Sequence, residues 1–346
     1  MARRISRRAF LRKAAGGFAA TQILPTSSAL AQMRAAGAIF PVEVNARPLT
    51  SFDLRDPSHV RFGSFQFCSG LVLTSPFRRF GGLSSLNLDA AGEKFVMASD
   101  KGDWFTGRFV YNGDALSGLA DVTSSPMLDR DGRSFAAKGW FDSESLTFDG
   151  SVAYVGFERV NKIVRFDFVK GGILARGEEV PAPPDIATLP YNQGLESLVH
   201  IGSGYPLAGT LLAISERSLD VNGDIAAFLI GGPTPGIFHI KRSNDFDVSD
   251  ATLLPSGDVL LLERKFSLTK GVGIQVRCIP VSTITPGSLV DGPVLFEADL
   301  GAEIDNFEGI ATHVSQAGST IITLISDDNF SLIQRTLLVQ FSLLAR

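Results

Sequence analysis

In DSESLTFDGSVAYVGFER (142–159), Glu144 opens one apolar run, Glu158 closes the next, and Asp149-Gly150 turns the chain between them. A carboxylate beside a core strand loses hydration unless something cationic compensates it, so paired acids at one end of an apolar hairpin imply a bound cation or bound protons, unless they are solvated or paired with the arginines that follow them. The arrangement recurs. Four further stretches, 81–100, 192–217, 247–264 and 305–328, begin with a short polar signature, run into a strand, turn at a glycine and end a second strand at an acid. The closing acids are Asp100, Glu158, Glu216, Glu263 and Asp327, and the opening residues are Ser85, Glu144, Glu196, Asp250 and Glu308. Side-chain oxygens without histidine or cysteine suit a hard cation, calcium before zinc. Asp100, Glu144, Glu196, Asp250, Glu263, Glu308 and Asp327 are the expected metal ligands.

The elements that must position these acids follow from the spacing. Anchored on the opening residues, the repeats step by 59, 52, 54 and 58 residues, each with three or four strand-like runs. A period of that length without amphipathic helices predicts an all-β fold, a β-propeller of four-stranded antiparallel blades. Residues 40–80 hold enough strand-like sequence for a sixth, degenerate repeat, so six blades are expected. The last repeat stops after its third strand, and an N-terminal segment such as FPVEVNA (40–46) would supply the missing outer strand and close the ring. In a blade the inner strand lines the channel and the second strand pairs about 4.8 Å away, which gathers the acids at one mouth.

Each of Glu158, Glu216 and Glu263 is followed by an arginine: Arg159, Arg217 and Arg264, the last followed by Lys265. Strand alternation turns these cations away from the channel to brace adjacent blades; relaxed alternation at strand ends would let them bind an anionic substrate instead.

The first 31 residues read as a twin-arginine export signal: SRRAFLRK (6–13), a mildly apolar run to Leu24, then Ala29-Leu30-Ala31. Residues 32–346 are then one domain, and the expected location is periplasmic or secreted, with the Tat translocase as a partner during export. The leader carries six basic residues and no acid. Of 32 basic and 36 acidic residues in the chain, 26 basic therefore remain against 36 acidic, a net charge of −10. That balance disfavours nucleic acid as a partner. No apolar run is long enough to span a membrane, and a monomer is expected. Cys68 and Cys278 allow one disulfide or two buried thiols. No G-x-S-x-G elbow, phosphate loop or C-x-x-C occurs.

With DSESLTFDG and GFER, NQGLESL and ISER, DFDVSDATLLPSGDVLLLERKF, and DNFEGIA with ISDDN, behind a twin-arginine leader, residues 60–344 resemble the family named for the esterase-like activity of phytase. The resemblance implies a propeller related to calcium-dependent phytases, with calcium bridging acids and substrate oxygens, and hydrolysis of a phosphoric or carboxylic ester. It implies Glu158 or Glu216 as the base that accepts a proton from the attacking water; the cations read above as candidate substrate ligands are Arg159, Arg217 and Arg264, with Lys265 and Lys101 as weaker ones. The cations beside the motifs are few for a polyanion such as phytate, so a small ester is the expected substrate. The alternatives are a propeller lactonase, or a non-catalytic propeller that binds a ligand with a metal tying its blades.

Overall fold

The turns Ala91-Gly92, Asp149-Gly150, Ala208-Gly209, Ser256-Gly257 and Ala317-Gly318 each reverse an inner strand onto its neighbour, and each glycine takes the positive φ that such a turn needs. A computed structural model, which describes residues 37–267 and 271–344, builds five sheets on these hairpins. The inner strands are Leu83–Leu88, Ser143–Asp149, Leu195–His200, Asp247–Leu253 and Asn306–Val314. Each neighbours the next, and the fifth returns to the first, so the sheets are the blades of a closed propeller, numbered one to five here in chain order. Three-residue to five-residue 3-10 turns are the only helices among the described residues. The expected leader lies outside the described residues.

The blade count is five, not six. The segment expected to form an extra blade contains one long strand, Phe65–Thr74, with the short Asn45–Pro48 and Arg61–Phe62 beside it. Phe65–Thr74 pairs antiparallel with Thr336–Leu343, the third strand of blade 5, from Thr336↔Leu73 to Leu343↔Phe65. The unpaired edge left at the C-terminus captures this strand, because an exposed ladder costs more than a covered one. The expected closing segment divides: Phe40–Pro41 pairs at the outer edge of blade 1, and Asn45–Pro48 lies outside Phe65–Thr74 in blade 5.

The core has one apolar cluster per seam between blades. Leu260, Leu262 and Ile274 meet Phe65, Ile322 and Leu337 between blades 4 and 5, while Val259 and Leu261 meet Leu212 and Ile225 between blades 3 and 4. Alternate residues of VLLL (259–262) thus enter opposite seams, which is why the second strands read as unbroken apolar runs. Burying each such side chain contributes about 1.5–3 kcal/mol. Trp104 is fully buried in the seam between blades 1 and 2, edge-on to Phe166 and Phe168 at 5.2 and 5.4 Å. No disulfide joins Cys68, which is exposed, to Cys278, which is buried.

Candidate active site at the channel mouth

All five inner strands carry a β-bulge near their first residue. The pairing skips Ser84 in blade 1, Glu144 in blade 2, Glu196 in blade 3, Ser249 in blade 4 and Glu308 in blade 5. A bulge inserts an unpaired residue and re-aims its side chain. The three glutamates so displaced face one another: Glu144 raises the pKa of Glu196, and Glu308 raises that of Glu144. In blades 1 and 4 the bulged residue stands one position before the anchor expected from sequence, so Asp250 is not the equivalent of Glu144. Asp250 is fully buried below the ring, where it accepts the Ile310 N–H at 2.9 Å and the Ser197 hydroxyl at 3.3 Å, tying blade 4 to blades 5 and 3.

A second ring lies two residues before each bulge: Gly82, Asp142, Gly194, Asp247 and Asn306. Sequence reasoning passed over it. Its backbone receives the strand ends that close the hairpins, as in Asp100 N–H to Gly82 O at 2.8 Å, Glu158 N–H to Asp142 O at 2.9 Å and Glu216 N–H to Gly194 O at 2.9 Å. Its polar side chains hold the arginines. Asp142 pairs with Arg159, Asp247 with Arg217 and Arg242, and Asn306 with Arg264. The readable signal is an Asp or Asn two residues before Glu144, Ser249 and Glu308.

Blade 4 inverts the expected directions. Val259–Ser267 pairs with Gly271–Ile279 without interruption, so alternation is strict and Glu263 and Arg264 leave the sheet on opposite sides. Glu263 is fully buried in a fork with Arg277 at 2.5 and 2.6 Å and a bond from Gln275 at 2.7 Å, away from the mouth acids. Arg264 enters the mouth instead. Its guanidinium pairs with Glu308 and stands 3.6 Å from both Glu196 and Glu216. In blade 3, the ladder to the third strand breaks between Ile214 and Leu219, and both Glu216 and Arg217 reach the mouth.

Glu216, Arg217, Arg264, Lys265 and Glu308 line one cavity of about 650 Å³ together with Phe266. Arg159 lies elsewhere on the rim, over the rings of Phe141 and Tyr191 at 4.8 and 5.9 Å. Glu158 is almost fully buried and accepts the Gly194 N–H at 2.9 Å. Lys101 pairs with Asp100 at 2.7 Å.

Burial pushes seven acids at the mouth upward. Glu158 reaches about 7 and Asp327 about 8; Glu144 and Glu196 rise well above the ordinary glutamate value, and Asp100, Glu216 and Glu308 rise as well. Arg264 offsets the desolvation at Glu196, Glu216 and Glu308 and is itself favoured by Glu144, whereas Asp327 is raised further by the neighbouring acids Glu308, Asp100 and Asp328. Lys101 and Arg159 serve acids of blades 1 and 2 in the same way, Arg159 acting on both Asp142 and Glu158, so among the mouth acids Glu144 and Asp327 are left without a cation of their own among the described residues. Among the described residues, no three acidic, histidine or cysteine side chains already converge on one point as metal ligands would. The carboxylates of Glu144 and Asp327 are nevertheless hard oxygens without an ion pair among the described residues, which is the chemistry a calcium-like cation satisfies.

The model of the phytase-like family, described as esterase-like activity of phytase, matches residues 78–330. No curated protein matches the chain. Solved structures similar to it include the glutaminyl cyclase of Myxococcus xanthus, at 9% identity over 88% of this chain and 100% of that one, with a TM-score of 0.41. A protein of unknown function from Bacteroides caccae is similar at 11% identity, over 69% of this chain and 66% of that one, with a TM-score of 0.30.

Proposed function

Because the chain belongs to the phytase-like family, we propose that it is a hydrolase of small phosphoric or carboxylic esters and that the reaction takes place in the cavity at the channel mouth. One observation carries the reading: Glu216, a carboxylate with a raised pKa, stands 3.6 Å from the guanidinium of Arg264 on the wall of an open 650 Å³ cavity. A carboxylate poised upward by burial is suited to accept a proton from water, and a guanidinium beside it is suited to hold an anionic oxygen.

In the proposed reaction, Arg264 orients the ester through an oxygen of its acyl or phosphoryl group, aided by Arg217 and Lys265. Glu216 takes a proton from a water as that water attacks the phosphorus or carbonyl carbon. The bond to the alcohol oxygen breaks, and the proton returns to that oxygen as the alcohol leaves. Glu308 and Asn306 hold Arg264 in place, and Asp247 holds Arg217. Calcium belongs to the same proposal: Glu144 and Asp327 are the residues that would hold it, with Asp100 joining them on exchange of its Lys101 partner, and when bound it would neutralise charge and polarise the ester. A leader of the twin-arginine type would place the enzyme in the periplasm.

The test is a panel of phosphate monoesters, carboxylic esters and lactones offered to the purified protein with calcium or with a chelator. Hydrolysis of at least one ester, lost in Glu216→Gln, is expected. A folded protein that leaves the whole panel untouched while chelation lowers its melting temperature would instead make the channel a binding site tied by metal.

A further inference from the structure

A second cavity lies at the strand ends opposite the mouth. Asn306–Val314 starts at the mouth with Asn306 and reaches this cavity at His313; Asp103–Asn112 reaches it at Tyr111, and Thr336–Leu343 at Gln340 and Ser342. Its volume is about 720 Å³, within the range of pockets that enclose small molecules. It opens where blade 5 meets blade 1, and the captured strand Phe65–Thr74 supplies one wall. The pairing of that strand with Thr336–Leu343 skips Cys68, and Cys68 stands in the wall at this bulge.

The floor is built of buried polar groups. Gln340, 2% exposed, donates from its amide nitrogen to the Tyr111 phenol oxygen and the Thr323 hydroxyl, both at 3.1 Å. Tyr111 in turn donates to the Gly92 carbonyl at 3.1 Å. These bonds fix the Gln340 amide and leave its carbonyl oxygen as an acceptor. His313 is 7% exposed and packs against Gly92, where a Cβ would collide with the imidazole; its Nδ1 is buried without a hydrogen-bond partner. Burial lowers the His313 pKa, so the ring is uncharged at neutral pH. The floor therefore holds more hydrogen-bonding capacity than the fold itself uses, which is uncommon for buried polar groups.

Above the floor the walls are rich in amides and hydroxyls, among them Gln66, Asn112, Gln316, Ser315 and Ser342. The charged residues of the lining are Glu93 and Asp114, both exposed acids, with no lysine or arginine beside them. An anion has no counter-charge here. An ammonium would engage the two rim carboxylates and leave the amides unused. Amides and hydroxyls both donate and accept, and their match is a ligand whose polar groups do the same. Sugar hydroxyls have that property, and Phe67 and Ile321 give apolar contact to the C–H faces of a sugar ring. We infer that this cavity binds a neutral saccharide of one or two rings, with hydroxyls held by Gln340, Gln316 and Asn112 and by the carboxylates of Glu93 and Asp114. The site is separate from the proposed catalytic cavity, and the two readings stand or fall independently.

The test is titration of the purified protein with glucose, galactose, maltose and cellobiose, read by saturation-transfer NMR and calorimetry, with choline as the cationic control. Maleimide labelling of Cys68, which is exposed while Cys278 is buried, reports occupancy of the cavity itself. At least one saccharide should bind and slow the labelling of Cys68. Ala115→Trp, at an exposed position of the lining, fills the cavity and should abolish binding. Gln316→Ala and Asn112→Ala, also exposed, should each weaken it about two- to tenfold. Three results overturn the inference: no saccharide of the panel binds, binding persists unchanged in Ala115→Trp and in both alanine variants, or choline protects Cys68 while every saccharide leaves its labelling unchanged. Ester hydrolysis at the mouth, present or absent, bears on none of these outcomes.

Discussion

At the scale of single residues, Arg264 and Glu263 exchange the roles that their order along the strand suggests. Arg264 is the counter-ion of Glu196, Glu216 and Glu308, and Arg264→Gln leaves three carboxylates facing one another. Removing one partner of a buried charge network costs about 3–5 kcal/mol, and Arg264, a quarter exposed, belongs at the lower end of that range. Arg264→Lys should recover part of the stability and little of the activity, because an ammonium cannot serve the same forked geometry. Urea denaturation beside ester turnover measures both. Glu263→Gln breaks a fully buried fork with Arg277 and should cost at least as much stability, yet the folded fraction should keep its turnover, since Glu263 does not reach the cavity.

At the scale of elements, the bulges decide what reaches the channel. Gly309, the residue after the bulge in blade 5, packs against blade 1; a methyl group there would stand 2.6 Å from the Ile325 side chain and 3.1 Å from the Leu86 nitrogen. Gly309→Ala should therefore destabilise by about 1–3 kcal/mol, read from the urea midpoint, with the blade 5 to blade 1 seam loosened. Much of this level was legible in advance. The repeat spacing and the turn glycines gave the propeller, and the closing acids Asp100, Glu158, Glu216 and Asp327 do lie at the mouth end of their hairpins. The bulges were not legible, because a skipped residue leaves apolar periodicity on either side nearly intact; LSSL, VSDA and FEGI do not announce which position is unpaired. The side on which Glu263 and Arg264 emerge depends on an uninterrupted ladder with Gly271–Ile279, a partner outside the motif. The sixth blade was read from strand content alone, and strand content does not reveal that Phe65–Thr74 pairs with residues some 270 positions later.

At the scale of the whole molecule, ring closure and collective charge set the response to conditions. A chain beginning after Thr74 lacks the strand that covers Thr336–Leu343 and should aggregate or fail to refold, as followed by light scattering, because the open edge invites pairing with other chains. Glu158, raised to about 7, and Asp327, raised to about 8, are acids whose folded values exceed their unfolded ones. The native state then holds more protons than the unfolded state, so their contribution to stability is complete below about pH 4 and is lost as pH rises through those folded values. Without divalent cations, the melting temperature should fall from pH 5 to about pH 8 in these groups' titration range, and calcium should oppose the fall. The most direct measurement of the central claim is the pH dependence of kcat/KM for the best ester in the wild type and in Glu216→Gln. A wild-type profile that rises with pH through a single carboxylate ionisation, and a variant lowered about 10²–10⁴-fold with that ionisation gone, is predicted. A variant that retains both the rate and the pH profile would contradict the assignment of the chemistry to the channel mouth.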